Sequence, residues 1–318
     1  MMGFLTALIV RSGLFVFIPL PHIMNKVFYL LIGIVAAFTA CEKKIEFKLD
    51  DTTDKLVVDA TIENGKGPIV FLSRSIDYFS TINPQILANS FVHAADIMVS
   101  NGTQTQKLKE YSRQLNANGD KIYYYSIDSS NLVNAFLGEL NQMYNINISV
   151  EGKVYTASTV IPNLTKKVDS IWWRKAQAQE DSSKVVIVVR ATDPPGFGDY
   201  IRYFTKRNRE PFYPPFTSVF DDLVIDGTTY ELPVDPGFDR NSNVKDDDRM
   251  FKRGDTVTMK LCNISKSNYE FWRTMEYSYS SIGNPFATPV KVLSNISNGA
   301  LGYFGGYGCQ YHTLTIPK

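Results

Sequence analysis

From residue 55 onward, apolar and polar residues alternate through most of the chain. Leu56, Val58, Ala60 and Ile62 share one face of an extended segment, the period-2 pattern of a half-buried strand. Asn64-Gly65-Lys66-Gly67-Pro68 then turns the chain into a return strand over 69–73, which reads as a hairpin. A second pair is expected over 96–100 and 103–108, with Asn101-Gly102 supplying the positive φ angles of a type I′ turn. Strand 121–127 follows. Tyr144, Ile146, Ile148 and Val150 alternate before a turn at Glu151-Gly152-Lys153 and a return over 154–160. This succession of short strands predicts a β-sandwich of immunoglobulin-like or transthyretin-like kind over 55–162.

Pro162-Asn163-Leu164 breaks the pattern, and a second β-rich domain is expected over 163–318. Its strands are read at 170–174, 184–191, 200–206 and 256–262. The continuous run Val185 to Val189 suits a strand buried on both faces. The Pro-, Gly-, Asp- and Asn-rich stretch 208–248 forms a long decorated loop with short strand candidates at 219–225 and 228–232. One helix is predicted over 266–277: Ser265 can cap its free amide donors, and Tyr269, Trp272, Met275 and Glu276 recur at helical spacing. The expected fold class is all-β, mainly β, with one packed helix.

The N-terminal 40 residues break the strand pattern. Met24-Asn25-Lys26, the apolar run Val27 to Phe38, and Thr39-Ala40 before Cys41 have the three parts of a signal peptide. Met24 fits as the true start, with 1–23 upstream of it. Resemblance to the lipoprotein signal class implies diacylglyceryl transfer to the Cys41 thiol and cleavage before it, so 41–54 becomes lipid anchor and tether. Phe38 departs from the usual Leu three residues before the cysteine. A transmembrane anchor is the alternative, but an apolar run of about 13 residues is short for a hydrocarbon core of ~30 Å. The expected location is the outer membrane, held by the lipid on Cys41, with the periplasmic face and the cell surface both open.

Composition narrows the partners. Lys and Arg total 33 against 32 Asp and Glu, a formal charge of +1, so no field favours nucleic acid. With 44% hydrophobic residues the chain can bury a sizeable core, and its 18 Tyr and 20 Phe favour strands over helices.

Several segments, in order, resemble the Bacteroidota lipoproteins grouped as domain of unknown function 4249 (DUF4249). They are Cys41, Leu56-Val57-Val58-Asp59-Ala60, Val154-Tyr155-Thr156-Ala157, the Asp193-Pro194 to Tyr200 turn, Gly254-Asp255-Thr256-Val257, Asn284-Pro285-Phe286, and the Gly-rich run from Ser294 to Tyr307. The resemblance implies a role beside a TonB-dependent outer-membrane transporter in nutrient capture. It transfers no catalytic residues.

The Gly-rich run lacks the strand-to-helix setting and the Lys-Ser/Thr of a phosphate loop. Its glycines are expected to let a strand turn sharply against the helix, with Tyr303, Phe304 and Tyr307 either packed in the core or forming a ligand platform. Trp172 and Trp173 alternate across a strand, one directed to the core and one to a stacking surface or contact. Cys262 and Cys309 are left for a disulfide in an oxidising envelope; otherwise Cys262 is a small buried apolar residue. His93 and His312 fit no zinc spacing and no serine triad. Asp239, Asn241 and Asn243 offer hard oxygen ligands for calcium, but Val244 and Met250 stand where the EF-hand needs Gly and Glu. A solvated turn is the default there, with no metal or cofactor expected. The leading expectation is a non-catalytic envelope lipoprotein that binds a transporter or its nutrient, with a glycan or peptide as ligand. Two alternatives remain: an envelope hydrolase using a carboxylate pair, and a structural envelope protein.

Overall fold

Along β1 (Leu56–Glu63) the alternation does what it predicts: Leu56, Val58, Ala60 and Ile62 are each at most 2% exposed. The computed structural model describes residues 54–76, 84–114, 120–176, 183–240, 250–284, 286–288 and 290–318. The leader, Cys41 and the tether up to residue 53 lie outside the described residues. Among the described residues no helix is long and apolar enough to cross a membrane.

β1 forms the expected hairpin with β2 (Ile69–Arg74). A short helix α1 (Pro84–Ser90), absent from the hydrophobic pattern, precedes β3 (Asp96–Ser100), β4 (Thr105–Gln114), β5 (Lys121–Ile127), β6 (Gln142–Val150) and β7 (Lys153–Ile161). After these come β8 (Lys167–Lys175), β9 (Lys184–Thr192), β10 (Tyr200–Arg207), β11 (Val219–Phe220), β12 (Thr229–Val234), β13 (Phe251–Lys252) and β14 (Thr256–Ile264). Helix α2 (Lys266–Ser280) and the 15-residue strand β15 (Leu301–Thr315) close the chain. The class is mainly β and sandwich-like, as expected. α2 begins where predicted, with Ser265 Oγ accepting from Asn268 N at 3.3 Å, and runs three residues further than its apolar spacing shows.

Two turns differ from expectation. Asn101 keeps a negative φ, and its Oδ1 accepts from Thr103 N and Gln104 N, so the β3–β4 connection is an Asn-capped turn rather than type I′. The paired positive φ angles occur instead at Glu151 and Gly152, which join β6 to β7.

The boundary expected at 162 separates two cores but not two domains: residues 52–318 form one compact unit. One core gathers β1 to β7 with Ile296, Ala300 and Phe304; the other lies between β8–β9 and β10–β14. The halves are fused by β15, which runs parallel to β1 on one edge and antiparallel to β14 on the other. Eleven strands therefore follow one hydrogen-bonded path, β11-β10-β14-β15-β1-β2-β5-β4-β3-β6-β7. A second sheet has β9 at its centre, with β8 along one edge and β12 and β13 on the other.

The Gly-rich run does not bend the chain against the helix. From Leu301 onward it is the first half of the continuous β15, and the glycines there admit neighbouring backbone: a Cβ at Gly308, next after the run, would lie 2.5 Å from the Pro162 carbonyl oxygen. Tyr303, Phe304 and Tyr307 are buried at 6%, 0% and 5% exposure, so they pack in the interior and do not form an open ligand platform. Phe271 of α2 stacks on Tyr303 with ring centroids 4.7 Å apart, which is why the platform is covered.

Candidate functional site

Between the two sheets of the second core lies an apolar cavity of about 480 Å³. Val168 of β8, Val189 and Ala191 of β9, Ile201 and Tyr203 of β10, and Met259 and Leu261 of β14 form its walls. They do so because alternation sends every second residue of each strand inward. The chain from Val219 to Asp235, part of the loop-rich stretch seen in the sequence, forms the rim. Most of that rim is apolar, and its Val224 is 93% exposed. Two other depressions, over β4 and over the outer face of β3 and β6, are lined by mixed polar side chains.

Polar groups punctuate the apolar wall. Tyr203 OH accepts from Asp235 N at 3.3 Å, and Tyr269 OH donates to Asp221 Oδ2 at 2.8 Å. Burial pushes the Tyr230 phenol up to about 12, with the charges of Asp193 and Asp169 adding to the rise. The phenols are hydrogen-bonding groups here, not acids or bases near neutral pH.

Close to this wall, at the end of the β8–β9 ladder, is a cluster of charged side chains. Lys166 and Asp193 extend the register beyond the Lys167–Thr192 pair, and Lys166 Nζ lies 3.0 Å from Asp193 Oδ1 with both side chains 0% exposed. Asp199 and Asp222 bring their carboxylates so near that one oxygen from each of the three acids lies within 4.8 Å of the others. Asp222 Oδ2 accepts from Gly198 N at 2.7 Å and Asp199 N at 2.9 Å. Burial works against its ionised form, but these backbone donors and the Lys166 charge outweigh it and hold the carboxyl below its ordinary range. Asp199 goes the other way: burial raises it and the Asp193 and Asp222 charges add, against the Thr165 hydrogen bond and Lys166.

The opposite face of β10–β14–β15, under α2, holds a second polar network. The Arg202 guanidinium lies 3.3 Å from the centre of the Trp272 ring, and its Nε donates to Ser218 Oγ at 3.1 Å. Trp272 Nε1 donates to Tyr307 OH at 2.8 Å, and Ser218 donates through both its amide and its hydroxyl to Glu276. These contacts fasten the helix to the sheet.

Of the residues singled out in the sequence, Cys262 and Cys309 are joined in a disulfide, as cross-strand neighbours on β14 and β15. Trp172 and Trp173 are both half-buried; Trp173 packs on the second core with the Arg253 guanidinium 4.8 Å from its ring centre. Neither tryptophan lines the cavity. Of the calcium candidates, Asn241 and Asn243 lie outside the described residues. His93 pairs with Glu110 at 2.5 Å, and His312 contacts Gln310 at 3.0 Å, so the two imidazoles serve separate places.

The family model of the domain of unknown function DUF4249 matches residues 42–310, most of the chain. This is a DUF4249 protein. No curated protein matches it significantly. In this DUF4249 chain, the segments behind the resemblance have structural roles: Leu56 to Ala60 is β1, Val154 to Ala157 lies in β7, and the Gly-rich run leads into β15. The Asp193 to Tyr200 turn is different, because it carries two of the three clustered acids. Sequence reading missed Lys166, Asp199 and Asp222. A lysine just after a Pro-Asn break looks like a solvated one, and the turn composition hid the acids' convergence.

Proposed function

We propose that this DUF4249 protein is a lipid-anchored, non-catalytic envelope protein that holds a small apolar molecule for a TonB-dependent nutrient uptake system. The observation that carries the binding role is the cavity between the sheets, about 480 Å³ and walled by Val, Ala, Ile, Met and Leu. That volume is within the usual range for small-molecule sites, about 300–1,000 Å³. The signal segment ending at Ala40, just before Cys41, and the family resemblance support the envelope address and the link to a transporter. Against the hydrolase alternative, two of the three clustered acids are sealed: Asp193 and Asp222 are 1% and 2% exposed, out of reach of a glycan or peptide.

Titration of the mature protein with a dansyl-labelled fatty acid tests the cavity. The expected result is saturable fluorescence enhancement in wild type, lost in Ala191→Trp while cooperative unfolding is kept. Equal binding by the variant, or none by wild type, would remove the cavity from the reading. Co-purification from membranes at native abundance tests the transporter link, and recovery of no TonB-dependent partner would sink it.

A further inference from the structure

We propose that Lys166 and Asp193 condense into an intramolecular isopeptide bond, an amide from Nζ to the Asp193 side-chain carbon. Four observations converge on this pair. The reacting groups are 3.0 Å apart and wholly removed from solvent. Among the described residues, neither Lys166 Nζ nor either Asp193 carboxylate oxygen has a hydrogen bond, so the hydrogen-bonding capacity of the ion pair is unmet. A buried pair with unmet hydrogen-bonding capacity is costly to retain as ions, and a neutral amide removes both charges at once.

The lysine is also held in place for the reaction. Its backbone N donates to Asn263 Oδ1 at 3.1 Å, and its carbonyl accepts from Asn263 Nδ2 at 3.3 Å and from Gln310 Nε2 at 2.7 Å. Three hydrogen bonds from β14 and β15 thus fix the start of β8, and proximity of this kind converts an encounter into an internal reaction. The fourth observation is a proton carrier. Asp199 lies within the same group of acids, and its carboxyl is raised above its ordinary range by burial and by the neighbouring carboxylates.

The step balances without any external reagent. In the step, a protonated Asp199 turns to donate to the Asp193 carboxylate, and the Lys166 ammonium passes one proton to that same carboxylate, making it the neutral acid. The freed lone pair attacks the Asp193 side-chain carbon to form the C–N bond. Asp199 supplies a proton to the departing oxygen and recovers one from the nitrogen. The oxygen leaves as water, so an ammonium and a carboxylate become an amide plus one water. Exclusion of solvent from the site disfavours the reverse hydrolysis. The bond would clamp the end of the β8–β9 ladder beside the cavity wall.

Intact mass measurement of the purified, disulfide-reduced mature chain decides the matter. The expected mass is one water below that of the linear sequence, with the deficit confined to a branched peptide joining the Lys166 and Asp193 segments. Lys166→Arg and Asp193→Ala should each restore the full mass, and Asp199→Asn should leave a folded chain that closes slowly or not at all. A folded wild type at full mass, with tryptic cleavage after Lys166 proceeding normally, would overturn the proposal and leave a buried ion pair. A water deficit that persists in Lys166→Arg would overturn it equally.

Discussion

Gly306 faces the Val160 carbonyl so closely that a Cβ on the glycine would stand 2.2 Å from that oxygen. β7 and β15 are not hydrogen-bonded neighbours, yet their backbones touch there, because the glycine removes the side chain that would hold them apart. Adding one methyl group forces the strands to separate, and overpacking of this kind costs about 1–3 kcal/mol or more. Gly306→Ala should therefore lower the urea midpoint by an amount corresponding to about 3 kcal/mol. A loss under about 0.5 kcal/mol, within the range of ordinary surface substitutions, would show that the approach carries no weight.

The Cys262–Cys309 bridge joins residues 47 apart in sequence. In the chain-entropy view, a loop of that size is worth about 4 kcal/mol through restriction of the unfolded chain. The double variant Cys262→Ala/Cys309→Ala should lose stability of that order in denaturant. With the two cysteines 0% and 4% exposed, dithiothreitol should reduce the folded protein only as fast as it opens. Rapid reduction under native conditions, followed by free-thiol labelling, would contradict this burial.

Glu63 reports on acid stability. Burial opposes its charge, but the Lys260 ammonium and hydrogen bonds from Lys260, Lys66 and Tyr311 hold its carboxyl below the ordinary glutamate value of 4.5. A depressed folded-state value means that the unfolded chain takes up the proton first as pH falls. The stabilisation is complete above the ordinary value and is lost as pH drops through the folded one. Glu63→Gln should be less stable than wild type at neutral pH by about 1–3 kcal/mol, and the two should converge below the ordinary glutamate value. Parallel stability curves across that window would show that the network does not act through this charge.

The proposed lipid anchor depends on one atom. Under the proposed processing, mass spectrometry of the wild-type N-terminus should find a peptide beginning at Cys41 with a lipid increment, and the protein should leave membranes only in detergent. Two acyl chains hold a protein stably where one holds it marginally. Cys41→Ser should stay an unprocessed precursor. A wild-type chain beginning at Met1 or Met24, or an unmodified Cys41, would defeat the anchor.

Period-2 alternation was enough to locate β1 and the β6–β7 hairpin, because burial of one face is written residue by residue into a strand, and the continuous apolar run Val185 to Val189 located β9. The cap at Ser265 and the apolar spacing after it marked α2 for the same local reason. Alternation says nothing, however, about which strand edges meet. The backbone groups that pair β1 with β15 are chemically alike in every strand, and the two segments lie far apart in sequence. Their parallel union merges what read as two domains, buries Tyr303, Phe304 and Tyr307, and brings Gly306 against β7. Lys166, Asp193, Asp199 and Asp222 depend on the same long-range placement. Each looks solvated in its own segment, and they become a buried cluster only when the β8–β9 ladder end packs against β14, β15 and the turn before β10.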